Sequence, residues 1–334
     1  MKSPITGKEM VLRKEKRTIQ FRKSSFDVVF HFYYCNDSRE QFTTTQLDEL
    51  NTNQVYNQYR DLNNIPFPEE IVRIRKKYGL SASKMSEILG FGTNSYRQYE
   101  KGEIPNVSNA RLIQMINDPK KFIDMVELCD SLDESLKNKY LKVGLDIVEE
   151  RKRNIFSFNL KDYLLGNHLA DIYSGYKNPD FSKFTEMVIY FSEKTEPFKT
   201  KMNKLLFYAD FLMFKQNCFS ISGIRYKAIG MGPVPNNFQS TFEYLANQNE
   251  IDIFYTPFPQ GYIGEQFKAR KDRRFNPNLF TKEELDVLGA VVKVFGECST
   301  SEIINLSHKE NAWKENNQNN DVISYQYAFD LIQI

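Results

Sequence analysis

Residues 81–105 read SASKMSEILGFGTNSYRQYEKGEIP and hold two short helical patterns separated by a turn with two glycines. The first pattern, Ala82–Leu89, places Met85 and Ile88 on one face, and the second runs from Thr93 to Glu100. Two short helices at this spacing are typical of a helix-turn-helix, in which the first helix braces the second against the major groove of DNA. The stretch therefore predicts a DNA-binding fold near the middle of the chain.

The second helix of this pair carries polar side chains that suit contacts with DNA. Asn and Gln pair with adenine and Arg with guanine, while hydroxyl groups hydrogen-bond to bases or phosphates. Residues 66–121 contain 10 Lys and Arg against 6 Asp and Glu, a locally positive balance that favours binding to phosphates. A solvated helical bundle without a DNA role would show the same charge, so charge alone leaves that alternative open. The predicted DNA-binding residues are Thr93, Asn94, Ser95, Arg97, Gln98 and Lys101.

The order of residues favours the DNA-binding interpretation over a solvated bundle without a DNA role. Residues 74–81, 85–90 and 99–105 resemble the Xre/Cro repressor family, and Phe91–Glu100 more narrowly resembles antitoxins of the MqsA (YgiT) type. This resemblance implies that Asn94 reads a base. Gln98 occupies the position of that family's base-reading arginine and Arg97 precedes it, so the resemblance implies a different sequence preference.

The N-terminal segment is predicted to be a β-rich ribbon. Val11–Phe21 and Phe26–Tyr34 contain alternating stretches typical of strands, with a turn at residues 22–25. The MqsA-type family begins with a zinc ribbon that uses two Cys-x-x-Cys pairs. The matching positions here hold hydroxyls in place of three of the four thiols, and a hydroxyl is a poor zinc ligand because it stays protonated. The sequence therefore predicts no metal and no cofactor at the degenerate ligand positions Ser3, Thr6, Cys35 and Ser38.

The C-terminal half carries a second resemblance. Residues 201–211 with 222–228, 230–235, and 299–304 with 307–313 resemble the Panacea (SocA-like) domain over about residues 165–334. The 230–235 segment combines glycines that permit turns with two stiffening prolines, and a rigid loop with exposed aromatic side chains beside it suits a protein partner. A loop that merely connects a strand to a helix is an equally good interpretation. The predicted partner-binding residues are Tyr208, Tyr226, Gly232, Pro233, Val234 and Pro235.

The C-terminal half also contains acid–base side chains, but their spacing matches no catalytic motif. His308, Glu310 and Asp210 match no metal or triad spacing, so a structural histidine is favoured. Lys204 is interpreted as a charge on a helix surface. Pro233 also lacks the N–H that a phosphate loop needs. Because metal, triad and phosphate-loop patterns are all missing, the sequence predicts that the chain is not an enzyme.

The composition of the chain excludes several classes of protein. The 334 residues include 45 Lys and Arg against 43 Asp and Glu, a net charge of +2 that excludes a uniformly basic nucleic-acid coat. No run approaches the roughly 18 apolar residues of a membrane span, and Met1–Pro4 lacks the apolar core of a signal peptide. The four separated cysteines suit reduced thiols. We therefore expect a cytoplasmic protein without membrane association.

The predicted architecture is α+β and mostly helical. It comprises a small β-rich N-terminal ribbon (1–65), a five-helix Xre-type helix-turn-helix bundle (66–128), a connecting or dimerisation helix (129–164) and a mixed helical/β Panacea domain (165–334).

The resemblances imply the antitoxin of a type II toxin–antitoxin pair. Such a protein would neutralise a cognate protein toxin through the Panacea half. It would also bind double-stranded operator DNA in its own promoter through the bundle and so repress transcription of its operon. We expect a homodimer, because one short recognition helix reads too few base pairs for specific affinity. The alternative is a phage or mobile-element repressor whose C-terminal half binds a ligand or an adaptor. A hydrolase fused to a DNA-binding module is a third hypothesis.

Overall fold

The computed structural model describes residues 1–154, 160, 162–166, 168–259, 261 and 263–334. These residues form helices and three small sheets, which confirms the predicted α+β class. The chain divides into two compact units. The first unit comprises Met1–Arg17, Val28–Gln54 and Lys161–Ile334, and the second comprises Thr18–Asp27 and Val55–Leu160. The domain boundaries expected from the sequence stay a prediction.

The N-terminal sheet has the order β1 (Val11–Phe21), β2 (Ser24–Tyr34) and β3 (Gln41–Phe42) and is followed by α1 (Thr45–Leu62). Amide side chains of α1 bond the backbone of β2. Asn51 accepts from the N–H of His31 at 2.8 Å and donates to its carbonyl at 2.9 Å. The β-hairpin predicted from the sequence is confirmed.

The ribbon contributes to the first unit through contacts with C-terminal residues. The thiol of Cys218 lies 3.6 Å from the carbonyl oxygen of Leu50, and Asn53 donates to the carbonyl of Asn217 at 3.3 Å. The rings of His31 and Phe329 lie 5.3 Å apart. The base of the ribbon and the C-terminal region thus belong to one folded unit.

The second unit contains the predicted five-helix bundle. Side chains of Ser81, Asn106 and Asp118 accept from backbone N–H groups at the starts of the third, fifth and sixth helices of the chain, as helix caps do. Their buried faces meet in one core that includes Ile74, Met85, Tyr96 and Phe122. The helices are α2 (Pro68–Lys77), α3 (Ala82–Ile88), α4 (Ser95–Glu100), α5 (Val107–Met115) and α6 (Pro119–Glu127), and the long helix α7 (Glu134–Arg153) follows.

The C-terminal region surrounds one central helix. All residues from Lys201 to Phe214 on this helix, α9, are buried. The helices are α8 (Phe181–Thr195), α9 (Lys199–Asn217), α10 (Phe238–Asn247), α11 (Lys282–Phe295), α12 (Thr300–Ser307) and α13 (Asn311–Lys314). Two antiparallel strand pairs accompany them, β4 (Tyr226–Ile229) with β5 (Gly232–Pro235) and β6 (Asp252–Pro257) with β7 (Ile263–Lys268).

One local expectation in this region is wrong. The segment 230–235, interpreted as a loop, contains the strand β5, whose Pro233 and Pro235 face Ala228 and Tyr226 across the pair. Proline content led to the wrong prediction, because proline can occupy strand positions that need no N–H donor. A 3-10 helix covers Tyr325–Asp330 near the end of the chain.

Candidate nucleic-acid interface and partner-binding region

The helix α4 is fixed by its buried face. The N–H of Tyr96 donates to the hydroxyl of Ser86 on α3 at 3.1 Å, and the hydroxyl of Tyr96 donates to the carbonyl of Ile71 at 2.9 Å. Tyr99 is also buried and accepts from the side chain of Asn109 at 2.9 Å. These bonds hold α4 in one rotation about its axis, which determines which residues face outward.

The outward edge of α4 carries the residues predicted to contact DNA. Asn94 occupies the N-cap position, but its side chain makes no capping bond, so the helix does not use its amide. Ser95 is half-buried, whereas the other five predicted residues are exposed: Thr93, Asn94, Arg97, Gln98 and Lys101. The six side chains therefore share an accessible edge of the second unit.

An ion pair of Arg75 joins the end of α4 to α2. The guanidinium of Arg75 bonds both carboxylate oxygens of Glu100, at 2.5 and 3.2 Å, and also donates to the carbonyl of Leu80 at 2.7 Å. Such a bidentate ion pair fixes the orientation of the two side chains relative to each other. Arg75 therefore holds the end of α4 against α2.

The degenerate zinc positions come together despite the missing thiols. Ser3 accepts from the N–H groups of Ile5 and Thr6 at 3.3 Å each, and the hydroxyl of Thr6 lies 3.4 Å from the sulfur of Cys35. Hydroxyls of Ser38 and Thr6 stabilise the thiolate and lower the pKa of Cys35 to about 6. Across the described residues, no group of three or more His, Cys, Asp or Glu is placed to hold a metal ion.

The predicted partner-binding residues lie in the interior. Tyr208 and Tyr226 are fully buried, so the exposed aromatic side chains expected beside the 230–235 segment are not there. The other four are buried as well: Gly232, Pro233, Val234 and Pro235. The reason is that α9 is covered on every side and β5 packs against it. As placed here, these side chains offer no surface to a partner, and their predicted role in binding is not supported by their position.

Polar side chains donate to the backbone of the β4–β5 pair instead. Lys204 is 0% exposed, donates to the carbonyl of Pro233 at 2.9 Å and has its pKa lowered to about 7 by burial, which corrects its interpretation as a surface charge. Trp313 donates to the carbonyl of Ile229 at 2.8 Å. His308 stacks on Trp313 at 3.8 Å, and burial lowers the pKa of the His308 ring. The flanking apolar residues of the helix, such as Leu205, were the sequence signal for this burial.

The two candidate acid groups are held by internal donors. Asp210 accepts from the N–H groups of Ile221 and Ser222 at 2.8 Å each, and from the hydroxyls of Ser222 at 2.5 Å and Tyr226 at 2.7 Å. Burial raises the pKa of Asp210. Glu310 accepts from Tyr208, Ile332 and Gln333 at 2.9 to 3.3 Å. Both carboxyl groups therefore organise neighbouring chain segments.

None of the described helices is both long and apolar enough to cross a bilayer.

Comparison with known proteins gives matches in two segments. The family described as "Antitoxin component of bacterial toxin-antitoxin system, MqsA" matches residues 1–126, and "Antitoxin SocA-like, Panacea domain" matches residues 202–314. Antitoxin MqsA of Escherichia coli (strain K12) is 41% identical over 51 residues, which are 15% of this chain and 39% of that relative. The chain thus spans about two fifths of the relative's length. These matches confirm the resemblance to MqsA-type and SocA-like Panacea antitoxins in two segments of the chain and support the role of an antitoxin of a toxin–antitoxin system.

Proposed function

We propose that this protein is a cytoplasmic, non-enzymatic antitoxin of type II. Its α4 edge binds operator DNA, and its C-terminal region binds and neutralises a cognate protein toxin. The observation that carries the proposal is the exposure of Asn94, Arg97 and Gln98 on a helix whose inner face is bonded into the bundle. The matches to two antitoxin families support the toxin partner.

The DNA-binding part of the proposal follows from the chemistry of the α4 edge. The amides of Asn94 and Gln98 and the guanidinium of Arg97 offer the donors and acceptors that base edges in the major groove require. Lys101 supplies a positive charge for a neighbouring phosphate. A homodimer would place two such edges on half-sites about one DNA turn apart, which doubles the contacts of a six-residue helix.

Binding of the full chain to the DNA upstream of its own coding sequence tests this part by fluorescence anisotropy. We expect Asn94→Ala and Arg97→Ala each to weaken binding about 5- to 100-fold, because each lost base contact costs about 1–3 kcal/mol. Lys142→Ala, an exposed charge on α7, is the matched control and should leave affinity near the wild-type value. Equal affinity of all three variants and the wild type would contradict the DNA-binding assignment.

Co-expression with the protein encoded by the adjacent gene tests the toxin-binding part. We expect the full chain to restore growth and to bind that protein in calorimetry. The full chain is required, because Leu50 and Asn53 of the ribbon bond C-terminal residues and a deletion of 160–334 would remove their partners. Binding to DNA without binding or neutralisation of the toxin would contradict the antitoxin proposal and favour a repressor whose C-terminal half takes a ligand or adaptor.

A further inference from the structure

The pairing of β6 with β7 determines which backbone N–H and carbonyl groups of β6 point away from β7. Ile253 faces Phe267 across the β6–β7 pair, and the N–H of Phe267 donates to the carbonyl of Pro197 at 2.9 Å, away from β6. In an antiparallel pair, a residue whose groups point away from its partner strand faces a residue whose groups also point away. The backbone polar groups of successive residues alternate between the side facing β7 and the outer side. The backbone groups of Ile253, Tyr255 and Pro257 therefore all point to the outer side of β6.

The two outer edges of this sheet differ. Residues 196–198 cover the edge of β7, through the bond to Phe267, a bridge between Phe198 and Gln266, and a bond from the Gln266 side chain to the Glu196 carbonyl at 3.0 Å. On the outer side of β6, no backbone group of the described residues forms a pair. Pro257 lies at an outward position, where its missing N–H is typical of an edge strand. Among the residues that the structure describes, the edge of β6 is therefore open.

A cleft of about 300 Å³ runs beside this edge. Its wall combines the outward residues Ile253 and Tyr255 with Glu243 of α10 and Asp252. Arg270 also lines the cleft, but it bonds the carboxylates of Asp252 at 2.8 Å and Asp272 at 3.1 Å. The lining therefore holds two carboxylates, those of Glu243 and Asp252, against one guanidinium, and its net charge is negative.

We propose that β6 receives an extended segment of the toxin as an added strand, with a Lys or Arg side chain of that segment directed to Glu243. The inference rests on the proposed function and names the place where the toxin binds. An added strand is the partner that satisfies outward N–H and carbonyl groups along an open edge, and pockets beside the edge then select side chains. The exposed ring of Tyr255, 68% accessible, would be covered by the incoming strand. A helical partner would leave the N–H groups of Ile253 and Tyr255 without acceptors.

Two substitutions at Tyr255 distinguish the contribution of its backbone N–H to binding from that of its side chain. Tyr255→Pro removes an outward N–H that β7 does not use, whereas Tyr255→Ala removes the ring and keeps the N–H. Using the adjacent-gene product as the probe, we expect Tyr255→Pro to weaken binding at least tenfold and more than Tyr255→Ala does. Glu243→Gln should weaken binding severalfold and reduce its dependence on salt. Unchanged operator binding and an unchanged melting temperature verify that the variants are folded.

Hydrogen exchange on the wild-type chain gives an independent readout. We expect the peptide covering residues 252–257 to become protected when the adjacent-gene product is added. If that protein neither binds nor is neutralised by the wild type, the proposed function is wrong. If it binds the wild type and folded Tyr255→Pro equally, or binds without protecting residues 252–257, the toxin assignment stands and the strand-addition inference is overturned.

Discussion

The C-terminal region contains two antiparallel strand pairs, β4–β5 and β6–β7, with opposite surroundings. The outer edge of β4 is paired, since Ala228 donates to the carbonyl of Asp321 at 3.1 Å and Ile323 donates to that of Tyr226 at 2.8 Å. β5 lies buried against α9. The outer edge of β6, by contrast, faces a cleft and has no paired backbone groups among the described residues. Similar local structures thus serve two purposes, one as part of the core and the other as an accessible edge.

This difference explains why the partner surface expected from the sequence falls on the interior. Glycines that permit turns and prolines that stiffen the backbone occur at positions 230–235, but a strand packed closely against a buried helix uses the same residue types. The segment 252–257 carries no such marker, and its availability depends on whether another backbone reaches its edge. The following substitutions test the contrast between the two pairs.

The largest effect is expected at the carboxylate that anchors the start of β4. Asp210→Ala leaves the hydroxyl of Tyr226 and three further donors without their acceptor, and buried unsatisfied groups cost about 1–3 kcal/mol each. We expect the free energy of unfolding, measured in urea, to fall by about 3–5 kcal/mol. Asp286→Ala, an exposed acid on α11, should change it by less than about 0.5 kcal/mol. Equal effects of the two substitutions would show that the anchor does not stabilise the fold.

A glycine in each hairpin gives the next comparison. A methyl group at Gly232, where φ is +96°, would lie 2.5 Å from a carbon of Lys204 and 2.6 Å from the hydroxyl oxygen of Ser307. At Gly261, with φ at +83°, a methyl group would meet no described atom within 4 Å. We expect Gly232→Ala to cost about 2–4 kcal/mol and Gly261→Ala about 1 kcal/mol, because only the first adds a clash to backbone strain. Thermal denaturation measures both, and a reversed order would contradict the close packing of β5.

The buried lysine beneath β5 predicts a pH dependence. Burial lowers the pKa of Lys204 from 10.5 to about 7, so between these values the unfolded chain binds one more proton than the folded chain. Stability therefore rises with pH across this window. Lys204→Met removes the contribution, and we expect the stability difference between wild type and variant to change by about 1 kcal/mol per pH unit. Lys227→Met, at an exposed position of β4, should keep the wild-type slope. Parallel pH profiles for wild type and Lys204→Met would argue against a neutral buried amine.

The smallest effect concerns single hydrogen-bonding atoms in the two pairs. Trp313→Phe removes the donor to the Ile229 carbonyl while keeping an aromatic ring next to His308. One such bond contributes about 1 kcal/mol, which should lower the melting temperature by a few degrees. Tyr255→Phe at the open edge should leave the melting temperature unchanged, because its side chain is mostly exposed. A larger loss at Tyr255 would indicate that the β6 edge is part of the core.

Local patterns were sufficient to predict the bundle and the ribbon. Capping residues such as Ser81 and the apolar spacing of Met85 and Ile88 predicted α3 and α4 within two residues at either end. Alternation predicted β1 and β2. These signals are local because each cap or face involves residues a few positions apart.

Local sequence patterns did not predict contacts between residues far apart in the chain. The burial of Lys204 depends on Pro233, which lies 29 positions away, and the pairing of Arg75 with Glu100 spans 25 positions. The open edge of β6 depends on an absence of neighbours, which no local pattern encodes. The DNA-reading and toxin-binding roles stay predictions, because their partners lie outside the chain.

The shared unit of ribbon and C-terminal region limits how such proteins can be recombined. A gene fusion that exchanged residues 165–334 for another domain would remove the groups that His31, Leu50 and Asn53 contact. A viable chimera therefore has to inherit Met1–Arg17 and Val28–Gln54 together with the C-terminal region, and under the proposed function toxin specificity would be inherited with them.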